Sequence, residues 1–302
     1  MFQIAPSRPR LVTWPEIAPG PRSAVVAEPR VSVVIPTLNE ARNLPHVLAR
    51  LPVDVHEVIL VDGYSVDGTV TVARQHWPGV RVVRQTRLGK GNALACGFPL
   101  ATGDIIAVVD ADGSADPGEI PVFVKALMDG ADFAKGSRFV RGGGSSDITR
   151  LRSLGNRVLT ALFNLCFRAR YSDLCYGFNV FWRRHAAVLG LDAAAPASPT
   201  GAGRLWGDGF EIETLIHCRV AKAGLAVTEV PSFEHSRIHG VSNLNAYSDG
   251  VRVLRTILTE RRRAPDLTVA GTSPLPSVAE RHTAAEVAHE NPGPPVLAAT
   301  EE

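Results

Sequence analysis

The chain has 302 residues, of which 45% are hydrophobic and 21% charged, with a formal net charge of +2. These values are ordinary for a soluble globular protein with a sizeable core and fit one large α/β domain or two small ones. Acidic residues outnumber basic ones after residue 263, so the remainder is basic and suits an anionic partner. The sequence contains no zinc-finger spacing, RNA-binding aromatic signature or dense Lys/Arg stripe that would indicate binding to nucleic acid.

In chain order, a flexible arm over 1–30 is predicted first, because these residues are rich in Pro and Arg and lack periodicity. From residue 31 short apolar runs alternate with helical periodicity, which predicts an α/β fold with a mostly parallel sheet and helices on both faces. The predicted strands are 31–36, 57–61, 80–83, 104–109 and 131–135, and the predicted helices are 40–51, 66–76, 90–101 and 117–128.

Two amphipathic helices are predicted in the second half, over 149–170 and 246–262, with leucines and valines at helical spacing and arginines beside them. Such helices either pack on the core or form a basic membrane-surface patch. Residues 187–205 predict an inserted surface loop, and 263–302 a disordered tail. One catalytic domain over 31–262 follows.

Several features bear on location. No signal peptide is evident, and no run of about 18 apolar residues predicts a transmembrane helix. The scattered cysteines predict free thiols in a reducing compartment. They are Cys96, Cys166, Cys175 and Cys218. We therefore expect a cytoplasmic protein, with peripheral attachment to the inner face of the membrane left open.

Three predicted strands end in polar residues, at Pro36-Thr37-Leu38-Asn39-Glu40, at Asp62 and at Asp110-Ala111-Asp112. Ligands of open α/β sheets bind beyond the carboxyl ends of the strands, so these residues are expected to meet. Asp110 and Asp112 point the same way in an extended segment and would repel each other without a cation between them. Hard carboxylate oxygens suit Mg²⁺ or Mn²⁺, with positions left for phosphate oxygens.

These motifs, with Lys90-Gly91 between the second and the third and Gly136-Ser137-Arg138-Phe139 after the third, resemble glycosyltransferase family 2, which has the GT-A fold. Asp173 with Gly177-Phe178, and the segment RIHGVSNL at 237–244, are similar to the dolichyl- or polyprenyl-phosphate hexosyltransferase branch. The resemblance covers roughly residues 31–262. It implies a metal-dependent enzyme that inverts configuration and uses a nucleotide sugar.

The resemblance also implies roles for individual residues. Pro36, Thr37 and Glu40 would line the nucleotide pocket, Asp62 would contact the base, and Lys90 would lie near the nucleotide. Asp110 and Asp112 would hold the metal, with Ala111 between them lining the site and Ser114 at the third metal-side position. Arg138 and Arg237 would contact phosphates, as the guanidinium fork allows.

The sequence departs from the family pattern at three points. Val61 replaces an acid and Tyr64 is inserted in the second strand end, Ser114 stands where Gln is frequent, and Asn243 replaces a phosphate-binding Lys. The first two bear on the donor and the third on the acceptor.

Asp208, Glu211 and Glu213 leave three interpretations open. In the first, one of these acids is a general base. In the second, one of them orients the sugar or the metal shell, and in the third the acids complement the dipole of a helix. We take Asp208 as the catalytic candidate.

The predicted reaction is transfer of a hexose from a GDP-mannose or UDP-glucose type donor to a polyprenyl phosphate at the inner membrane surface. One alternative keeps the donor and changes the acceptor to a soluble sugar, a phosphoglycerate or a natural product. Another is a non-catalytic nucleotide-binding scaffold. A NAD-dependent dehydrogenase is excluded, since no G-x-G-x-x-G turn follows the first strand.

Overall fold

The computed structural model describes residues 28–193, 205–240 and 246–263. Nine strands lie in these ranges: β1 (Val31–Thr37), β2 (Glu57–Asp62), β3 (Arg81–Arg84), β4 (Ile105–Val108), β5 (Phe133–Ser137), β6 (Gly144–Ser145), β7 (Asn179–Trp182), β8 (Val227–Pro231) and β9 (Phe233–Glu234). Seven of them form the main sheet in the order β3-β2-β1-β4-β7-β5-β8, and β6 pairs with β9.

The α-helices of the described ranges are α1 (Leu44–Leu48), α2 (Thr69–His76), α3 (Lys90–Gly97), α4 (Ile120–Met128), α5 (Arg150–Phe167), α6 (Ile212–Lys222) and α7 (Ala246–Arg262). No described helix combines the length and apolarity needed to cross a membrane. All four cysteines are free, as predicted. The predicted arm and tail lie almost wholly outside the described residues, as do residues 194–204 of the predicted loop.

Side chains alternate between the two faces of the sheet, and each face is buried. Val33 and Ile35 of β1 join a cluster with α1, α2 and α4, whereas Val34 joins one with α3 and α6. A strand buried on both faces reads as a continuous apolar run, which is why β1 and β4 are evident in the sequence. The mixed α/β fold with a mostly parallel sheet and helices on both faces is thereby confirmed.

The sheet contains a strand, β7, that was not among the predicted ones. This strand lies between β4 and β5 and is antiparallel to both, whereas β1 pairs in parallel with β2 and β4. The predicted helix over 40–51 was too long, because only Leu44–Leu48 is α-helical. Pro45 occupies its first turn, where a missing N–H costs nothing, and a tight turn from Glu40 precedes it.

The two predicted amphipathic helices are confirmed as α5 and α7. The hydroxyl of Thr149 caps α5 by accepting a hydrogen bond from the Arg152 N–H at 3.2 Å. Both helices pack against α6 through a third apolar cluster that includes Phe163, Cys218 and Ile257. Their opposite faces remain exposed.

Candidate active site

The carboxyl ends of β1, β2 and β4 meet at one edge of the sheet. Thr37 and Asp62, the last residues of β1 and β2, lie side by side in the parallel register. The hydroxyl of Thr37 donates a hydrogen bond to the Val61 carbonyl at 3.2 Å. Asp110 and Asp112 follow β4 at the same edge, so the expected convergence of strand ends is observed.

Lys90 bridges two acids at this edge. Its ammonium lies 2.6 Å from Oδ1 of Asp110 and 2.7 Å from Oε1 of Glu213, and its side chain is 12% exposed. Burial lowers the pKa of Lys90, but the two carboxylates outweigh it and hold that pKa well above its ordinary value. Lys90 therefore remains a cation at the first turn of α3.

Arg237 forms a second bridge. Its Nη1 donates to both carboxylate oxygens of Glu40 at 2.9 and 3.1 Å, and its Nη2 lies 3.4 Å from Oδ2 of Asp112. Burial raises the pKa of Glu40 above its usual range, although hydrogen bonds from Asn43 and the charge of Arg237 oppose that shift. One cation therefore faces each acid of the Asp-x-Asp pair, Lys90 at Asp110 and Arg237 at Asp112.

Backbone hydrogen bonds join residues 235–238 to the loop of residues 110–114, which contains Asp110 and Asp112. The His235 N–H donates to the Ser114 carbonyl at 2.8 Å, and the Ile238 N–H donates to the Asp112 carbonyl at 3.3 Å. Gly113 has φ +80°, and a β-carbon there would lie 2.5 Å from the Ile238 side chain. The left-handed conformation therefore favours glycine in Asp-x-Asp-Gly, and an added β-carbon would also push the Ile238 side chain aside.

A cavity of about 320 Å³ adjoins this loop on the α1 side, with His46, Arg50, Gly113 and Ile238 in its lining. The Ser114 N–H donates to Oδ1 of Asp112 at 3.0 Å, which orients that carboxylate. The cavity leaves room for part of a ligand beside the loop that follows Asp112.

Asp208 is held as a structural partner. Its carboxylate forms a bidentate pair with Arg87 at 2.9 and 3.0 Å, and both side chains are 4% exposed. Its carbonyl accepts from the Gly91 N–H at 2.8 Å, and a β-carbon on Gly91 would lie 1.7 Å from the Gly207 carbonyl oxygen. These contacts support positioning of the Lys90 turn, and the catalytic role of Asp208 stays a prediction.

The other two acids of the 208–213 segment differ from Asp208. Glu211 accepts from the N–H groups of Gly207 and Gly209 at 3.2 and 3.3 Å, so it stabilises its own turn. Glu213 alone of the three contacts Lys90. Of the three acids, it is therefore the one tied directly to the Asp-x-Asp site.

Arg138 lies in a buried ion-pair network. Its Nε and Nη2 bond to Asp173 at 2.7 and 2.9 Å, its Nη1 bonds to Glu234 at 3.0 Å, and its side chain is 4% exposed. Burial opposes its charge, but the two acids raise the pKa of Arg138 above its ordinary value. Every guanidinium nitrogen of Arg138 is thus engaged by a carboxylate, and its phosphate contact stays a prediction.

Three more of the predicted residues, Pro36, Asp62 and Ala111, lie in or directly after β1, β2 and β4. Asp62 is 2% exposed and accepts from the N–H groups of Tyr64 and Ser65 at 3.1 and 3.2 Å, so it orders the loop after β2. Pro36 is half-buried within β1, and Ala111 is buried between the aspartates. Asn243, in the altered loop, lies outside the described residues.

Sequence reasoning missed Arg87, which carries no local signal because its partner Asp208 is 121 positions away. For a metal, the candidate ligands are Asp110 and Asp112, with side chains 33% and 22% exposed. The described ranges contain no group of three or more His, Cys, Asp or Glu arranged to hold a metal ion. A cation bound here would have to complete its shell with water or with a ligand's oxygens.

Comparison with known proteins gives a family match and several relatives. The family model described as Glycosyl transferase family 2 matches residues 32–189. An uncharacterized glycosyltransferase of Mycobacterium tuberculosis is 46% identical over 108 residues, 36% of this chain and 48% of that protein. The dolichol-phosphate mannosyltransferase of Pyrococcus furiosus is 38% identical over 122 residues, 38% of this chain and 34% of that protein. The match with these relatives thus spans half of their length or less.

A solved structure shares the fold. It is glucosyl-3-phosphoglycerate synthase from Mycobacterium tuberculosis in complex with Mn²⁺, UDP and phosphoglyceric acid. It is 23% identical, covers 80% of this chain and 81% of its own, and has a TM-score of 0.59. The likeness shows the GT-A architecture.

Proposed function

The chain belongs to glycosyl transferase family 2, and on that premise we propose that it transfers a hexose, with inversion, from a nucleotide sugar to a polyprenyl phosphate at the inner face of a membrane. One observation carries the proposal. Asp110 and Asp112 lie at the carboxyl edge of the sheet, and each is paired with a cation from a distant element. The carboxylates at this edge suit a metal ion, and the two cations suit the phosphates of a diphosphate.

The aspartates fit a divalent metal. Mg²⁺ and Mn²⁺ favour carboxylate oxygens, and Mg²⁺ is commonly held by one or two carboxylates with phosphate oxygens and water completing the shell. Asp110 and Asp112 would hold the ion, and the hydroxyl of Ser114 stands as a further ligand candidate. When bound, the metal would supply charge stabilisation to the departing diphosphate.

Lys90 and Arg237 would contact the donor's phosphates. Both are positively charged, partly exposed and within ion-pair distance of the aspartates, so a phosphate at the aspartates lies within their reach. Fixed cations next to a leaving group lower the barrier because they need no reorganisation as charge develops. Pro36, Thr37, Asp62 and Ala111 are proposed to shape the nucleotide pocket.

The acceptor in this proposal needs no general base. A phosphate monoester is already anionic near neutral pH, since its second pKa is about 6. Asp208 is occupied by Arg87, which agrees with an acceptor that brings its own nucleophile. Attack from the face opposite the diphosphate inverts the anomeric carbon.

A second acceptor class has its own support. The structural neighbour from Mycobacterium tuberculosis is named glucosyl-3-phosphoglycerate synthase, whereas the Pyrococcus relative is named dolichol-phosphate mannosyltransferase. A soluble phosphoglycerate also offers anionic oxygens to a basic site. We favour the lipid phosphate, because its relative has the higher identity and because α5 and α7 expose apolar residues beside arginines.

The test is a transfer assay. The purified chain is incubated with Mn²⁺ or Mg²⁺, GDP- and UDP-sugars, and either a short water-soluble polyprenyl phosphate or 3-phosphoglycerate. Asp110→Asn should lower turnover by more than about 100-fold without unfolding. Asp129→Asn, an exposed acid at the end of α4, should leave turnover unchanged. Near-normal activity of D110N would contradict the proposed metal role, and nucleotide binding without turnover of any donor would favour the non-catalytic scaffold.

A further inference from the structure

Helices α5 and α7 present apolar stripes to solvent. On α5, Leu151, Leu154, Val158 and Leu165 are 73%, 61%, 61% and 80% exposed; on α7, Val251, Leu254 and Leu258 are 50%, 38% and 41% exposed. Their spacings of three, four and seven residues place each set on one side of its helix. The two helices contact each other, so the stripes belong to neighbouring elements.

The charge around the stripes has one sign. Residues 148–172 contain no acid, and the arginines there are Arg150, Arg152, Arg157, Arg168 and Arg170. On α7 the acids Asp249 and Glu260 are 7% and 1% exposed, whereas Arg255, Arg261 and Arg262 are exposed. The outward surface of the two helices is therefore apolar and basic.

We infer that this α5/α7 surface docks on a lipid bilayer that carries anionic headgroups. Leucine and valine side chains would enter the boundary between headgroups and acyl chains, while the flanking arginines contact lipid phosphates. Burial of the exposed apolar area and the attraction between opposite charges would then both favour binding to the bilayer. The inference rests on the proposed function, because docking on a bilayer would bring the enzyme to the membrane surface where a lipid-phosphate acceptor is exposed.

A second copy of this chain fits the surface less well. A symmetric dimer places the same patch on both subunits, so arginines would face arginines. Like charges brought together in an interface cost several kcal/mol. A bilayer with anionic lipids offers the opposite charge to every one of them.

Vesicle co-sedimentation of the full chain, without donor or acceptor, tests the inference. With phosphatidylcholine vesicles containing about 30% phosphatidylglycerol the protein should sediment, and it should remain in solution with phosphatidylcholine alone. Because the attraction is screened, about 1 M salt should weaken binding. Absence of binding to the anionic vesicles at low salt would overturn the inference.

Paired variants identify the surface. Arg150→Gln with Arg255→Gln should weaken binding about 25-fold at low salt, as each arginine contributes about fivefold. Leu154→Ser with Leu258→Ser should also reduce binding, whereas Val53→Ser with Arg74→Gln, exposed residues outside both helices, should not. Equal loss in the control would overturn the assignment, as would a lipid-free dimer that the helix substitutions dissociate.

The outcomes are separable from those of the transfer assay, which uses a water-soluble acceptor and no vesicles. Vesicle binding without transfer would keep the surface and refute the reaction. Transfer without vesicle binding would keep the reaction and refute the surface.

Discussion

His217 provides a stability prediction whose sign and size follow from the structure. This side chain on α6 is fully buried between the rings of Phe133 and Tyr171, with centroids 5.7 and 5.3 Å away. Neither ring nitrogen has a hydrogen-bond partner among the described residues. Burial, assisted by the nearby charge of Lys135, lowers the pKa of His217 well below its ordinary value.

The folded protein therefore holds His217 without a proton, whereas the unfolded chain binds one below about pH 6.5. The pKa of His217 is thus lower in the folded state than in the unfolded state. As the pH falls below the unfolded-state pKa, the unfolded chain binds more protons than the folded protein, so the free energy of unfolding decreases. Between about pH 7.5 and pH 5.5 the loss should be about 1.4 kcal/mol in the free energy of unfolding.

His217→Phe should remove this contribution, because phenylalanine keeps the edge-on ring contacts and has no titrating nitrogen. Urea unfolding at several pH values measures the difference, with His76→Gln as a control because His76 is exposed on α2. The control should retain the wild-type pH dependence. If His217→Phe and wild type lost stability in parallel on acidification, the reasoning would be refuted.

Three further predictions concern packing and ion pairing. Gly91→Ala should destabilise the protein and lower transfer, since its β-carbon would lie 1.7 Å from the Gly207 carbonyl oxygen. Gly155→Ala on α5, with no atom within 4 Å of the added carbon, should instead raise stability by about 0.5–1 kcal/mol in thermal unfolding. Asp173→Asn should cost about 3–5 kcal/mol in urea unfolding, because it leaves Arg138 buried with one acid fewer, and unchanged stability would contradict that pairing.

Much of the fold could be predicted because its signals are local. Strands β1 and β4 are buried on both faces and therefore form uninterrupted apolar runs, and α5 and α7 have one buried and one exposed face. Helix α6 gives no such pattern, since it is buried on almost every side and its polar residues interrupt the run. The four-residue strand β7 is too short to be recognised before its neighbours are known.

The site was predictable to the extent that it depends on strand ends. Asp110, Asp112 and Asp62 come to one edge because parallel strands end there, and a sequence read as alternating strands and helices implies that placement. The pairing of Lys90 with Glu213 depends instead on how α3 packs against α6 across the core. No spacing in the chain encodes that contact, so Glu213 could only be weighed together with its two neighbouring acids.

Two arginines show why residue type alone does not assign a role. Arg138 and Arg237 were both expected to contact phosphates, and each lies within ion-pair distance of two carboxylates. Arg138 is 4% exposed with every guanidinium nitrogen bonded, whereas Arg237 is 21% exposed and its Nη2 lies 3.4 Å from Asp112. A phosphate that binds at the aspartates can replace the 3.4 Å contact between Arg237 and Asp112 at a small cost in free energy. To bind Arg138, it would have to break the buried ion pair with Asp173, which costs much more. Burial therefore decides which of the two arginines is available to a ligand, and burial is a property of the folded chain.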